Sequence, residues 1–332
     1  MDISWMAKFL VQGRDACTLL NRPGCNEVDV LPGRVVYTAW TNARGGFEAD
    51  LTVTRLAGDR FLVAVGENAH GHTETWMRRH IGADEFVTIT DMTAGITQIN
   101  VHGPKARTLM PRVSEADLSN EAFPFMSARM IDLGFFEVLA LRVTYVGELG
   151  WELHVPSLHA VQVHDLLAEA GRDLGLRNAG MQTLSSLRLE KAYRGFGVDV
   201  DNTGTPIEAG LGFAVKLDKP GGVIGRDALA GIKAAGVPNR RMLQFLLEDP
   251  EPLLHGREII HLDGRPAGYI QVGAYGHGLG GAVGIGFAEL AEPLTAESVG
   301  GGGGSIDVAG RRVAAQASLR PLLDPKMDRI RC

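Results

Sequence analysis

The chain has 332 residues, 45% apolar and 22% charged, with a formal net charge of −6 at pH 7. That profile fits a soluble globular protein with room for two or three cores. Its interspersed acids and bases argue against the basic face that nucleic-acid binding needs while leaving room for a small basic pocket, and no apolar run reaches the ~18–20 residues of a membrane span.

Three cysteines (Cys17, Cys25, Cys332), odd in number and at no metal-ligand spacing, argue against a disulfide framework and for a reducing compartment. The start, Met1-Asp2-Ile3-Ser4-Trp5, has no basic region ahead of an apolar one and so does not read as a signal peptide. Residues 9–21 read as strand, glycine turn and helix, and residues 98–110 repeat the pattern, with Gly13 and Gly103 90 positions apart and Pro104 at the first helical position. The repeat implies two related α+β units, each with a helix on a sheet. Neither glycine turn carries a fuller phosphate-binding pattern.

Residues 34–40 and 51–56 are strand-like, with Asn42-Ala43-Arg44-Gly45-Gly46 turning between them and Asp50 opening the second strand. Phe61 to Val65 is a third strand, and Glu74 to Met77 is helical. His70, His72 and His80 lie nearby, but no acid or cysteine joins them at ligand spacing, so they read as solvated side chains. From Arg142 to Glu152 a strand continues through Val143, bends between Gly147 and Gly150, and restarts at Trp151. The residues alone allow either a plain hairpin with solvated acids or a rigid bend holding Tyr145, Glu148 and Glu152 for a ligand.

Residues 158–170 and 181–192 have helical periodicity, the second with Leu184, Leu187 and Leu189 inward, and Arg226 to Ala235 is a short helix ended by Gly236. Beyond Val237-Pro238 the pattern becomes five strands (242–247, 257–262, 267–273, 281–288, 312–319), an antiparallel barrel or jelly-roll. The Gly300–Gly304 run reads as a flexible loop. Gly276-His277-Gly278-Leu279-Gly280-Gly281 spells a dinucleotide fingerprint, but a strand follows rather than a helix, and the reading is rejected.

Five ordered blocks carry a resemblance. They are Tyr145-Val146-Gly147-Glu148-Leu149-Gly150-Trp151-Glu152, Gly45-Gly46-Phe47-Glu48-Ala49-Asp50-Leu51-Thr52-Val53, Ser186-Leu187-Arg188-Leu189-Glu190-Lys191, Thr205-Pro206-Ile207-Glu208-Ala209-Gly210-Leu211-Gly212-Phe213 through Lys219, and Gly273-Ala274-Tyr275-Gly276-His277. Over nearly its whole length the chain resembles the glycine-cleavage T-protein (aminomethyltransferase) superfamily. Its Glu190-Lys191 pair and the two last blocks look most like the folate regions of dimethylglycine and sarcosine dehydrogenases and oxidases.

The resemblance implies an α+β, multi-domain ring of ferredoxin-like units with a C-terminal antiparallel β-barrel, divided at 1–97, 98–237 and 238–332. It implies tetrahydrofolate as cofactor, with no FAD domain in this chain, and transfer of a one-carbon unit to give 5,10-methylene-tetrahydrofolate. The donor would be a small amine or formaldehyde, and the partner a flavoprotein amine dehydrogenase, in the cytoplasm or, in a eukaryote, the mitochondrial matrix. Relatives usually carry a leading segment, so the start at Met1 reads as a fragment or a split subunit.

Carried over by position, Asp50 is the catalytic carboxylate, and Tyr37, Tyr145 and Glu152 contact the folate, Glu152 taking the N–H donors of the pterin edge. Ile131 falls in a pocket-lining segment, with core packing as the other reading. Leu184 stands where the glycine-cleavage protein has a ligand-contacting Arg, so the folate tail would need another cation, Arg188 or Arg320. Tyr275 and His277 either close the folate mouth or form a plain turn. Two further readings stay open: a folate-dependent S- or O-demethylase of the same fold, and a non-catalytic folate-binding subunit.

Overall fold

The computed structural model describes residues 1–301 and 303–332. The first unit runs β1 (Ala7–Gln12), α1 (Ala16–Asn21), β2 (Val35–Thr41), β3 (Phe47–Ala57), β4 (Arg60–Val65), α2 (His70–Arg79) and β5 (Thr88–Asp91). Its sheet has the order β2-β3-β4-β1-β5 and every neighbour is antiparallel. Alternate residues of these strands (Phe9 and Val11, Val53, Phe61 and Val63) point to one face and pack with Leu19 of α1 and Met77 of α2. The opposite face is left for polar side chains.

The second unit repeats this plan with β6 (Ile96–His102), α3 (Ala106–Leu109), β7 (Ser127–Leu133), β8 (Phe136–Arg142), β9 (Gly150–Pro156) and α4 (Ala160–Ala170), in the order β6-β9-β8-β7. Strands β6, β9, β8 and β7 thus correspond to β1, β4, β3 and β2. Both strand-to-helix turns need a glycine: φ is 132° at Gly13 and 135° at Gly103.

The repeat reaches further than the glycines. Asp91-Met92-Thr93 leads from the first unit into β6 yet bonds to β1: Met92 N–H donates to Lys8 O at 2.8 Å, and Lys8 N–H donates to Thr93 Oγ1 at 3.0 Å. Asp2-Ile3-Ser4 leads into β1 yet bonds to β6 in the same way. Ile3 N–H donates to Gln98 O at 2.9 Å, and Gln98 N–H donates to Ser4 Oγ at 3.0 Å. Each aspartate braces its own turn, with Thr93 N–H to Asp91 at 2.8 Å and Ser4 N–H to Asp2 at 2.9 Å. The lead-in of each unit therefore completes the edge of the other, and the two are laced together.

After α5 (Met181–Glu190) and α6 (Arg226–Ala234) come β10 (Arg240–Leu247), β11 (Ile259–Leu262), β12 (Arg265–Gly276), β13 (Gly281–Glu289), α7 (Ala296–Gly301), β14 (Gly304–Val308), β15 (Arg311–Ser318) and α8 (Asp328–Arg331). Strands β10-β13-β12-β11-β14-β15 close an antiparallel barrel around Leu243, Phe245, Ile260, Ile270 and Val313. The barrel has six strands where five are expected, because Gly304–Val308 pairs with both β11 and β15. The glycine run is accordingly shorter as a loop than expected: Gly300 and Gly301 end α7 and Gly304 opens β14, while Gly302 lies outside the described residues. The Gly276–Gly281 stretch is the hairpin between β12 and β13.

The α5 C-terminus is where the parts meet. Glu190 accepts N–H bonds from Gly278 at 2.5 Å and Leu279 at 3.1 Å in the barrel hairpin. Ser186 Oγ donates to Tyr275 O at 2.6 Å, and Gln244 of β10 donates to Leu189 O at 2.6 Å. Lys191 donates to Asp324 O at 2.6 Å and to the Asp324 carboxylate at 3.2 Å. Leu184 and Leu189 are buried, as the helical period predicts.

Candidate active site

Asp50 lies in the middle of β3, opposite Ala39, rather than at its start, because the hairpin continues past a bulge at Trp40/Thr41 to a turn at Asn42–Gly46. Ala49, Leu51 and Val53 take the helix-covered core, so period two turns Asp50 to the other face. There its Oδ2 accepts the Tyr37 hydroxyl at 3.1 Å and its Oδ1 accepts Phe196 N–H at 2.9 Å. Asp50 is half-buried. Desolvation lifts its pKa from 3.8 to about 6 against the pull of those two donors. Burial also pushes the Tyr37 hydroxyl up, reinforced by the Asp50 charge.

The loop that supplies Phe196 N–H is itself pinned. Asp199 accepts Gly195 N–H at 2.8 Å and the Arg188 guanidinium at 2.7 Å, and Arg188 also donates to Tyr193 O at 2.9 Å. The Arg188–Asp199 side chains are 5% and 0% exposed. Arg188, a candidate cation for a folate tail, is thus committed to Asp199; it shapes the loop that donates to Asp50, and its charge acts on Asp50 only as the smallest of the causes that set the Asp50 pKa.

Tyr145 leaves the second unit in the stretch 143–149, which is a seven-residue excursion between β8 and β9 rather than a tight hairpin. Its hydroxyl donates to Arg194 O at 2.9 Å, and its ring stacks on Tyr193 at 6.0 Å. Tyr145 packs with Ile3, Trp5, Met6, Val146 and Leu184. The family Arg position is therefore an apolar contact here.

Glu152 sits on β9 directly opposite Asn100 of β6, two residues from His154, which is opposite Gln98. Trp151 and Leu153 enter the second core, so Glu152 turns to the polar face. Its Oε2 accepts Gln98 Nε2 at 2.8 Å and its Oε1 accepts Asn100 Nδ2 at 3.3 Å. Burial lifts its pKa from 4.5 to about 7, opposed by the Asn100 donor and the Lys8 charge. Lys8 is fully buried and gives its ammonium to Met6 O at 2.7 Å and Ser4 O at 3.0 Å. Desolvation lowers its pKa to about 8. Contacts therefore join Asp50 to Phe196 N–H and, two residues earlier in the same loop, the Arg194 carbonyl through Tyr145 and Met6 to Lys8, whose charge acts on Glu152 without a direct bond.

The sequence names Asp50, Tyr37, Tyr145 and Glu152: the structure bonds Tyr37 to Asp50 and ties Tyr145 to the loop that donates to Asp50, while Glu152 sits on the second sheet with Gln98 and Asn100. Ile131 belongs instead to the second core, with Leu133, Val138 and Leu167, because it pairs with Val138 on the helix-covered face while Leu141 pairs with Glu152 on the other. Sequence reasoning missed Lys8, Gln98, Asn100 and Phe196. Only the first two had a signal, the matching Asp-x-Ser/Thr lead-ins. His70 bonds Asp91 at 2.9 Å, His72 bonds Glu48 at 2.8 Å and His80 bonds Trp76 O at 2.7 Å. Among the described residues no group of three or more His, Cys, Asp or Glu side chains could hold a metal ion.

Two laced sheet–helix units, a barrel and a pair of half-buried carboxylates on inward faces define an α+β protein of the aminomethyltransferase fold. The GCVT N-terminal domain model matches residues 1–219, and the glycine cleavage T-protein C-terminal barrel domain model matches residues 240–324. The chain belongs to the glycine cleavage T-protein family. It is 40% identical over 330 residues to 4-methylaminobutanoate oxidase (formaldehyde-forming) of Paenarthrobacter nicotinovorans, a match covering 99% of this chain and 39% of that protein. It is 33% identical over 349 residues to human mitochondrial sarcosine dehydrogenase, covering 99% and 38%. The chain thus spans less than half the length of these relatives. Among solved structures, the glycine cleavage system aminomethyltransferase T from Bartonella henselae shares the fold with a TM-score of 0.84, at 22% identity over 98% of this chain and 86% of that one. No helix among the described residues is long and apolar enough to cross a membrane.

Proposed function

We propose that the chain transfers a one-carbon unit to tetrahydrofolate, forming 5,10-methylene-tetrahydrofolate, as the acceptor part of a dimethylglycine- or sarcosine-type oxidising system. The observation that carries this reading is the pair Asp50 and Glu152. Both are half-buried acids lifted toward neutrality, and both are held only by neutral donors.

The donor set fits the ligand. A carboxylate has about four lone-pair positions. Glu152 uses two on Gln98 and Asn100, which leaves two for the adjacent N–H donors of an aminopyrimidine edge. Reduced folate supplies the amine nitrogens that take up the carbon unit. Asp50, with a pKa of about 6, can release and regain a proton at Oδ2 or Oδ1 near neutral pH. Tyr37 and Phe196 N–H hold the carboxylate in place while it does so. The one-carbon unit comes from an amine or from formaldehyde, and the names of the two relatives fit that donor class. An oxidising partner, a flavoprotein amine dehydrogenase, generates it. In a eukaryotic host the compartment is the mitochondrial matrix, in line with the mitochondrial location in the name of human sarcosine dehydrogenase.

Calorimetric titration with tetrahydrofolate, followed by an assay with formaldehyde, tests the reading. Wild type should bind and accelerate 5,10-methylene-tetrahydrofolate formation, and Asp50→Asn should bind without accelerating it. Failure of the intact protein to bind tetrahydrofolate would overturn the proposal.

A further inference from the structure

Glu152 lies among buried polar groups, and among the described residues no cation is bonded to it. The Lys8 charge acts on it, yet the Lys8 ammonium is given to the Met6 and Ser4 carbonyls. His154, on the same strand, is 3% exposed, and burial lowers its pKa to about 3, so it stays neutral. Gln98 makes the shorter of the two amide contacts, 2.8 Å against 3.3 Å for Asn100.

Both amides are anchored by the lead-in, Asn100 through backbone bonds of 2.8 Å in each direction with Met1, so the shorter contact to Glu152 is what singles out Gln98. Its side chain is fully buried. Its backbone is bonded on both sides by the crossing lead-in, through Ile3 N–H to Gln98 O and Gln98 N–H to Ser4 Oγ. Its Oε1 has no partner, and neither ring nitrogen of His154, directly opposite, has one. A carboxamide with a free Oε1 is held through its Nε2 alone, which donates to Glu152 at 2.8 Å and, at the long distance of 3.5 Å, to Asn100 Oδ1. An unpaired buried carbonyl costs about 1–3 kcal/mol, so the arrangement is not one that stability alone would favour.

We propose that Gln98 is a positioning residue for Glu152, donating from Nε2 so that the carboxylate stays ionised and its remaining lone pairs face the cleft. A cation in that place would take those lone pairs, whereas an amide steadies the charge and leaves them open. The lacing by Asp2-Ile3-Ser4 is what keeps Gln98 in register. The ligand named for Glu152 rests on the reading above, but the hold of Gln98 on Glu152 does not.

The test uses carboxyl-labelled glutamate in the intact, ligand-free protein, with the Glu152 resonance assigned by its loss in Glu152→Gln. In Gln98→Met, similar in shape but without a donor, the Glu152 midpoint should rise by roughly one pH unit. Tetrahydrofolate affinity should fall several-fold at neutral pH and recover toward wild type as the pH is raised. In wild type, the Gln98 side-chain amide resonance should titrate with the same midpoint as Glu152, a measurement that needs no folded variant. An unmoved midpoint in Gln98→Met, or a Gln98 amide signal flat across the Glu152 titration, would overturn the inference. A protein that binds no tetrahydrofolate but shows both shifts would sink the functional reading alone.

Discussion

Replacing Asp50 by Asn should make the protein more stable and less active at once. The new carboxamide can keep both contacts, its oxygen accepting Phe196 N–H and its NH2 donating to the Tyr37 oxygen, since a tyrosine hydroxyl both donates and accepts. What disappears is the charge. Burial raises the Asp50 pKa from 3.8 to about 6, which at about 1.4 kcal/mol per pKa unit is about 3 kcal/mol. The sign follows from which state holds the proton. Below 3.8 both folded and unfolded chains are protonated and the term vanishes. Between 3.8 and about 6 the unfolded chain loses its proton first, so stability falls as pH rises, and above about 6 the full penalty is present. Asp50 is only half-buried and partly screened by water, so the measurable gain in Asp50→Asn is about 1–3 kcal/mol. Urea unfolding of both proteins at about pH 8 and about pH 4 checks this: the gap should be present at the first and close at the second. The formaldehyde assay should meanwhile lose roughly 10²–10⁴-fold, the usual contribution of a positioned acid or base. A variant less stable than wild type at pH 8, or a gap of the same size at both pH values, would refute the reasoning.

Glu152→Gln should weaken tetrahydrofolate binding by roughly 10–100-fold, since bonds to a charged acceptor contribute about 1.5–3 kcal/mol, and calorimetry reads it directly. Arg188→Met leaves Asp199 buried without its partner and should cost about 3–5 kcal/mol in chemical unfolding, most of it restored in the Arg188→Met/Asp199→Leu double variant. Gly147→Ala places a methyl 2.2 Å from Lys191 Cγ at a position with φ of 74°. It should lower stability by about 1–3 kcal/mol, seen as a fall in Tm, and disturb the Tyr145 stretch. Glu190→Ala removes the acceptor for Gly278 and Leu279 N–H and should cost about 3 kcal/mol, whereas Glu190→Gln keeps an oxygen there and should cost less.

Local pattern made much of the fold legible, and the exceptions have local causes. The repeat at Gly13 and Gly103 gives away the doubled unit, and the alternation of β3 and β9 gives away which acids leave the core. Asp50 reads as a strand opening because Gly45-Gly46 looks like the end of a longer turn, yet Phe47 and Ala49 are already buried in the strand. Val143 reads as more strand because it is β-branched. The strand stops there because Thr144 Oγ1 takes Val146 N–H at 3.2 Å, and Arg142 turns its guanidinium to Phe123 O at 2.7 Å. The sixth barrel strand is hidden by the glycines before it. At the site, the side chains that belong to conspicuous patterns can be named in advance. Gln98, 54 positions from Glu152, and Phe196, 146 positions from Asp50, are brought there by tertiary structure, which no local period encodes.

How the buried charges are distributed explains why the site sits where it does. Arg188 is paired with Asp199, Lys191 with Asp324, and Arg142 and Arg194 with backbone carbonyls of Phe123 and Ala209. Even Lys8 turns its ammonium to carbonyls. These cations hold loops and the barrel. Asp50 and Glu152, by contrast, have only a phenol, a backbone N–H and two carboxamides as direct donors. A cation in contact with either acid would drop its pKa below the range in which it exchanges a proton near neutral pH, and would fill the lone pairs a ligand needs. Neutral donors avoid both effects but leave most of the desolvation penalty uncancelled. The instability predicted for Asp50 and the proton chemistry proposed for it therefore have one origin, which is the pattern expected where a binding or catalytic group breaks a rule the rest of the fold obeys.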